Sequence, residues 1–161
     1  MGKYRTAWVI GILQLTGIAS CSEELKPTPY VYTKVFTGEH SKTWKVKFLE
    51  QTLNGDVIET FTVACASDDQ YTFYANPEHA YQAKTGLNKC YTNPEPDVIN
   101  YSWDFNNASA TLSMLLPFFD PTSSLPFIVL EVKKDNMEVE IFLNEKNTKS
   151  YRIHFEATHE D

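Results

Sequence analysis

The sequence predicts an all-β domain running from about Tyr30 to the C-terminus, an antiparallel up-and-down β-barrel of eight or nine strands. Three observations carry that expectation. From Tyr30 onward, apolar residues recur mainly at every second position, which sets alternate side chains on opposite faces of strands. Turn residues separate these runs at short intervals, and no long helical pattern interrupts them. The 161-residue chain holds 10 Phe, 9 Tyr and 3 Trp, 14% aromatic overall, and rings in that number bury enough apolar area to offset the entropy of ordering. The length suits one globular domain and leaves no room for a second full one.

The elements come in chain order. Trp44, Val46 and Phe48 alternate with Lys45 and Lys47, and Asn54-Gly55-Asp56 returns the chain through Val57, Glu59 and Phe61 as a hairpin. Tyr71 and Phe73 begin another strand, Asn76-Pro77-Glu78 breaks it, and His79 to Lys84 pairs back. Ile99, Tyr101, Trp103 and Phe105 form the clearest stripe, with Asn100, Ser102 and Asp104 opposite, and Asn106-Asn107 turns into Ala110 to Leu116. Phe127 to Val132 is nearly continuous apolar, as a strand covered on both faces would be. Asp135-Asn136 turns into Met137, Val139, Ile141 and Leu143, and a last strand returns as Tyr151, Ile153, Phe155 and Ala157. Strands so closely connected are antiparallel, and this many twisted strands with one apolar face close on themselves or fold into a sandwich. The barrel is the favoured of the two.

Residues 1–20 are built differently. Lys3 and Arg5 lead, no acidic residue appears, and Ala7 to Ile18 is mostly apolar. A dozen apolar residues are too few to span a bilayer, and the pattern is that of a secretory signal rather than its alternative, an N-terminal core helix. The segment ends Ile18-Ala19-Ser20-Cys21, which resembles a bacterial lipobox. That resemblance implies a diacylglyceryl group on the Cys21 thiol and a mature chain beginning there; ordinary secretion with a free Cys21 is the alternative. The two or three acyl chains of such a lipoprotein hold it firmly at a membrane. Residues 21–29 then read as a lipidated tether, polar and punctuated by Pro27 and Pro29, ahead of the barrel domain at 30–161. Ser22 stands where a retention Asp would, and Glu23-Glu24 resembles an acidic export signal. The expected location is the bacterial cell envelope, anchored at the outer membrane and facing either the periplasm or the surface. The chain has 14 Lys and Arg against 21 Asp and Glu, net −7; without Lys3 and Arg5 that becomes 12 against 21, or −9. Such a field repels nucleic-acid phosphates, so no nucleic-acid partner is expected.

Beyond Cys21 the chain has only Cys65 and Cys90, with 24 residues between them. In an oxidising compartment an even pair reads as a disulfide, worth on the order of 3 to 4 kcal/mol in the chain-entropy account. Two buried free thiols are the alternative. Neither a C-x-x-C arrangement nor a zinc-type histidine spacing accompanies them. Around the pair run Cys65-Ala66-Ser67-Asp68-Asp69-Gln70-Tyr71-Thr72-Phe73, then Gly86-Leu87-Asn88-Lys89-Cys90, then Trp103 in a strand. This pattern resembles the lipocalin-like domain family of bacterial lipoproteins, over roughly Ser41 to Phe155. The resemblance implies a small β-barrel on a lipid anchor, usually without an assigned activity. The chain departs from the family at Asn76-Pro77-Glu78, where an acidic-glycine turn is commoner, and Lys42-Thr43-Trp44 stands in place of the Gly-x-Trp of true lipocalins.

Candidate sites are few. Asp68 and Asp69 are adjacent, so on a strand they point to opposite faces and in a turn they cap amides; capping is the expected role. His40, His79, His154 and His159 are scattered without HxH or HExxH, and no serine elbow or phosphate loop accompanies them. No enzyme activity, metal or cofactor is expected. An eight-stranded interior is just wide enough to be filled by side chains or to hold one small ligand. Trp44, Phe48, Tyr71, Phe73, Tyr101, Trp103 and Tyr151 are the candidate lining residues, either as a packed core or as the wall of a cavity for a small apolar or amphipathic ligand. Phe118 and Phe119, in a loop with Pro117, Pro121 and Pro126, are a candidate lid, partner anchor or plug. The first expectation is an envelope lipoprotein whose barrel binds a small apolar or amphipathic ligand; the alternative is a non-catalytic scaffold holding an envelope protein partner.

Overall fold

The computed structural model describes residues 30–90 and 97–161. The signal segment, the Cys21 lipidation site and the tether to Pro29 lie outside the described residues. The first element is a short helix, α1 (Tyr30–Thr37), where the alternation predicts strand. Its β-branched residues favour a strand only weakly, and tertiary packing overrides that preference because the helix delivers Phe36 into the core, fully buried. Gly38 ends it, with φ +64° and an N–H bond to the Lys34 carbonyl at 2.8 Å, the left-handed stop that glycine adopts without strain.

Ten strands come after it: β1 (Ser41–Leu53), β2 (Asp56–Phe61), β3 (Gln70–Tyr74), β4 (Ala80–Lys84), β5 (Val98–Ser102), β6 (Asp104–Asn106), β7 (Thr111–Met114), β8 (Leu125–Val132), β9 (Asn136–Phe142) and β10 (Lys149–Glu160). They form one antiparallel sheet in the order β5-β4-β3-β1-β10-β9-β8-β7-β6, with β2 paired to β1. The two end strands of that order are consecutive in the chain and separated by Trp103 alone, so the sheet is a nearly closed barrel. β2 and β3 lie end to end on one flank of the long β1. First and last strands meet: β1 pairs with β10 from Lys42–Glu160 to Leu53–Lys149. This is the expected up-and-down architecture, with two of its strands each broken into two pieces.

Three details depart from the strict alternation. The β1–β10 ladder shifts register between Val46 and Phe48, and the extra residue flips the parity of the later positions in β1. Trp44, Val46 and Leu49 therefore enter the core while Phe48 turns outward. β8 is covered on one face only, since Ile128 and Leu130 are exposed. The chain leaves β7 after Met114, and Leu115 and Leu116 bury themselves rather than extending the strand.

The β3–β4 hairpin keeps a regular register, Phe73 opposite Tyr81 and Gln70 opposite Lys84. Its Asn76-Pro77-Glu78 turn closes through the Asn76 side-chain oxygen, which accepts the Ala80 N–H at 2.8 Å. His79 completes the turn with φ +49°. Both barrel ends are stoppered. At one end α1 is held by Trp44 Nε1 donating to the Phe36 carbonyl at 2.9 Å. There the buried Lys42 ammonium reaches the Val35 carbonyl at 3.4 Å and the Glu160 carboxylate at 3.1 Å. At the other end the segment after β7 folds across the opening.

Candidate functional site

The interior is a lattice of rings. Trp44, Tyr71 and Phe73 are buried, as alternation on their strands requires, and Trp103 is buried at the break between β5 and β6. Phe36 sits among Phe73, Trp103 and Phe105, with centroids at 6.4, 6.0 and 5.0 Å. Phe73 meets Tyr81 at 4.9 Å and Trp103 at 5.7 Å, edge to face in each case, and Tyr71 meets Phe155 at 6.1 Å. Such contacts add to the area they bury. Among the concavities formed by the described residues, four of about 260 to 410 Å³ lie between α1 and the β3–β4 turn, around the C-terminus, beside Gly86, and beside His154. None of the four is lined by Trp44, Tyr71, Phe73 or Trp103.

The other three candidate lining residues stand elsewhere. Phe48 lies on the outer wall, stacked on His154 at 4.2 Å, because of the register shift. Tyr101 lies opposite the buried Tyr81 and so shares its face, yet it is 42% exposed, because the wall is open beside β5. Tyr151 is half-buried at the far end, against Phe61 at 5.9 Å and Phe119 at 5.8 Å. Phe118 and Phe119 meet with tilted rings at 4.7 Å and pack on the core, with Phe119 against Phe127 at 6.4 Å. Of the three roles open to that loop, the geometry is that of a plug. Asp120 fixes its rim by accepting from the Thr122 N–H and hydroxyl and from the Ser123 N–H, and these bonds hold its carboxyl below the usual carboxylate range, the Thr122 hydroxyl foremost.

Tyr81 anchors the plug from beneath. Its hydroxyl donates to the Leu115 carbonyl at 2.6 Å, and burial, aided by the nearby Asp69 charge, pushes its phenol well above the ordinary value. Nothing in the spacing of the sequence marks this pair. Asp68 and Asp69 cap amides, as their adjacency suggests. Asp69 accepts the Gly86 N–H at 2.7 Å and the Tyr71 hydroxyl at 3.0 Å, and Asp68 accepts the Leu87 N–H at 2.8 Å. These bonds tie the turn Ala64–Ala66 and its flank to the stretch after β4. Cys65 and Cys90 are joined in a disulfide across the same two segments, Cα atoms 4.9 Å apart.

Around His154 two carboxylates gather, on the outer wall rather than in the lumen. His154 Nε2 lies 3.2 Å from a Glu50 oxygen and Nδ1 3.9 Å from a Glu138 oxygen, while Phe48 covers one ring face. Register alone produces it, since Phe48 and Glu138 are the cross-strand partners of His154. Nε2 makes no directed hydrogen bond despite its burial. A neighbouring network links Thr52, Ser150, Glu140 and Arg152, with Ser150 donating at 2.7 Å and Arg152 Nε at 3.2 Å to one Glu140 oxygen. Neither group sets a nucleophile beside the imidazole. Among the described residues no three His, Cys, Asp or Glu side chains converge as a metal shell. His79 stacks on Trp103 at 4.7 Å, while His40 and His159 are exposed.

No protein-family model, curated protein or solved structure matches this chain. The fold and its residues therefore carry the functional reading.

Proposed function

We propose that this chain is a lipid-anchored lipoprotein of the bacterial cell envelope, akin to the lipocalin-like domain family, whose barrel serves as a non-catalytic interaction or scaffold module. The observation that favours a scaffold over a container is the filled interior: Trp44, Tyr71, Phe73 and Trp103 pack on one another and on Phe36, and Phe118-Phe119 close the far end. A ligand pocket is a concavity with walls free to touch a guest, and here the walls touch each other. The non-catalytic reading draws on the position of His154, whose carboxylate neighbours stand on the outside with no nucleophile. The anchor reading draws on Ile18-Ala19-Ser20-Cys21 and on the position of α1, which starts nine residues after Cys21.

Native mass spectrometry of the full chain, with titration of an environment-sensitive apolar dye, tests the choice. The scaffold reading expects no bound guest and no saturable dye site. A stoichiometric guest would favour the alternative, a barrel for a small apolar or amphipathic ligand. Incorporation of labelled palmitate, abolished by Cys21→Ser, is the expected result for the anchor.

A further inference from the structure

We infer that β5 is a self-pairing edge, and that a second copy of this chain adds to it antiparallel about a two-fold axis at Asn100. Three strands leave open edges among the described residues, since β2 pairs only with β1, β6 only with β7 and β5 only with β4. Edges of this kind invite further strands unless they are short, charged or bulged. β2 carries Asp56 and Glu59 and a register shift in its ladder, and β6 has three residues including Asp104. β5 has none of these protections. Its sequence Val-Ile-Asn-Tyr-Ser is uncharged and proline-free, its five-pair ladder with β4 is unbroken, and Val98 and Tyr101 are 41% and 42% exposed.

The sequence of β5 fits itself. Antiparallel pairing centred on Asn100 sets Ile99 of each copy opposite Tyr101 of the other, two aromatic–branched pairs of the kind that stabilise ladders. Val98 meets Ser102, and Asn100 meets Asn100. Gln82 already donates to the Asn100 side chain at 3.2 Å, so an amide row would cross four strands on the outer face. The flanking Asp97 falls opposite Trp103, and no like charges oppose within the pairing. A two-fold axis with a self-complementary patch is the commonest homodimer geometry. The axis stands normal to the shared sheet and leaves both α1 ends equally far from a membrane lying across it. The eight residues of 22–29 reach up to ~27 Å when extended, so two anchors in one membrane are compatible with the pairing.

One five-residue ladder is smaller than a standard interface of about 1,600 Å², so association in the range of roughly 10 to 500 μM is expected. Sedimentation equilibrium of the full chain in non-ionic detergent reads it directly. Asn100→Lys and Asn100→Asp each set like charges across the axis on an exposed face, and each is expected to raise the dimer Kd roughly fivefold or more with an unchanged melting temperature. Mixing the two variants in equal amounts is expected to restore association, because the charges then oppose with opposite sign. Thr60→Lys on the β2 edge is expected to change nothing. A wild-type chain that stays monomeric through the top concentration overturns the inference. So does an unaltered Kd in both Asn100 variants, a mixture that fails to associate, or an equal loss on Thr60→Lys.

Discussion

Replacing Phe36 by alanine asks whether α1 is part of the barrel core or an ornament on it. The ring has no solvent exposure and three aromatic neighbours at 5.0 to 6.4 Å. Phe→Ala at such a site removes the transfer free energy of the ring and leaves a cavity, together about 3 to 5 kcal/mol. A domain of this size loses about 3 to 5 °C of melting temperature per kcal/mol, so a fall of roughly 10 to 20 °C is expected. Thermal unfolding followed by circular dichroism reads the loss, and tryptophan emission adds a local readout, since Trp103 borders the vacated volume. Phe36→Leu, which keeps most of the volume, is expected to lose less than half as much. A cost under about 1 kcal/mol for Phe36→Ala, well below the range for a buried phenylalanine, would refute the view that α1 stoppers a filled barrel.

Other perturbations test the remaining supports. Tyr81→Phe orphans the buried Leu115 carbonyl and is expected to cost about 1 to 3 kcal/mol at neutral pH, read by denaturant unfolding. Because the folded phenol is raised above its unfolded value, the stability it contributes is complete below the ordinary tyrosine range and is lost as pH rises beyond it. The wild type is thus expected to weaken at strongly alkaline pH more steeply than Tyr81→Phe, and parallel profiles would count against the buried-phenol account. Gly86→Ala drives a Cβ into the Asp68 carboxyl and is expected to cost about 1 to 3 kcal/mol, whereas a neutral result in thermal melts would mean that the two segments are not in contact. Cys65→Ser with Cys90→Ser is expected to cost about 3 to 4 kcal/mol, and dithiothreitol should lower the wild-type melting temperature by a similar amount while leaving the double variant unmoved.

Much of the molecule was legible because strand side chains alternate, and alternation is a local property. Trp44, Tyr71, Phe73, Trp103, Phe127, Met137, Val139, Ile153 and Phe155 occupy the inner positions their spacing assigns them. Asn54-Gly55, with φ +54° and +89°, turns as the sequence indicates. The adjacency of Asp68 and Asp69 was enough to foretell capping, though not which amides they would cap. The exceptions all have non-local causes. The β1 register shift that turned Phe48 outward exists only where β10 lies alongside. The stretch Tyr30–Thr37 coils instead of extending because a barrel end needed Phe36.

By itself, then, the order of residues determined the class of fold, the pairing of consecutive strands, most of the core and the even cysteine pair, since each follows from period, turn chemistry or count. Only the tertiary structure decided that first and last strands meet, that the rings touch one another, that Tyr81 braces the plug, and that His154 gathers its carboxylates on the outer wall. Those outcomes depend on register between segments that can lie more than a hundred residues apart, as Lys42 and Glu160 do, where a shift of one residue exchanges inside for outside.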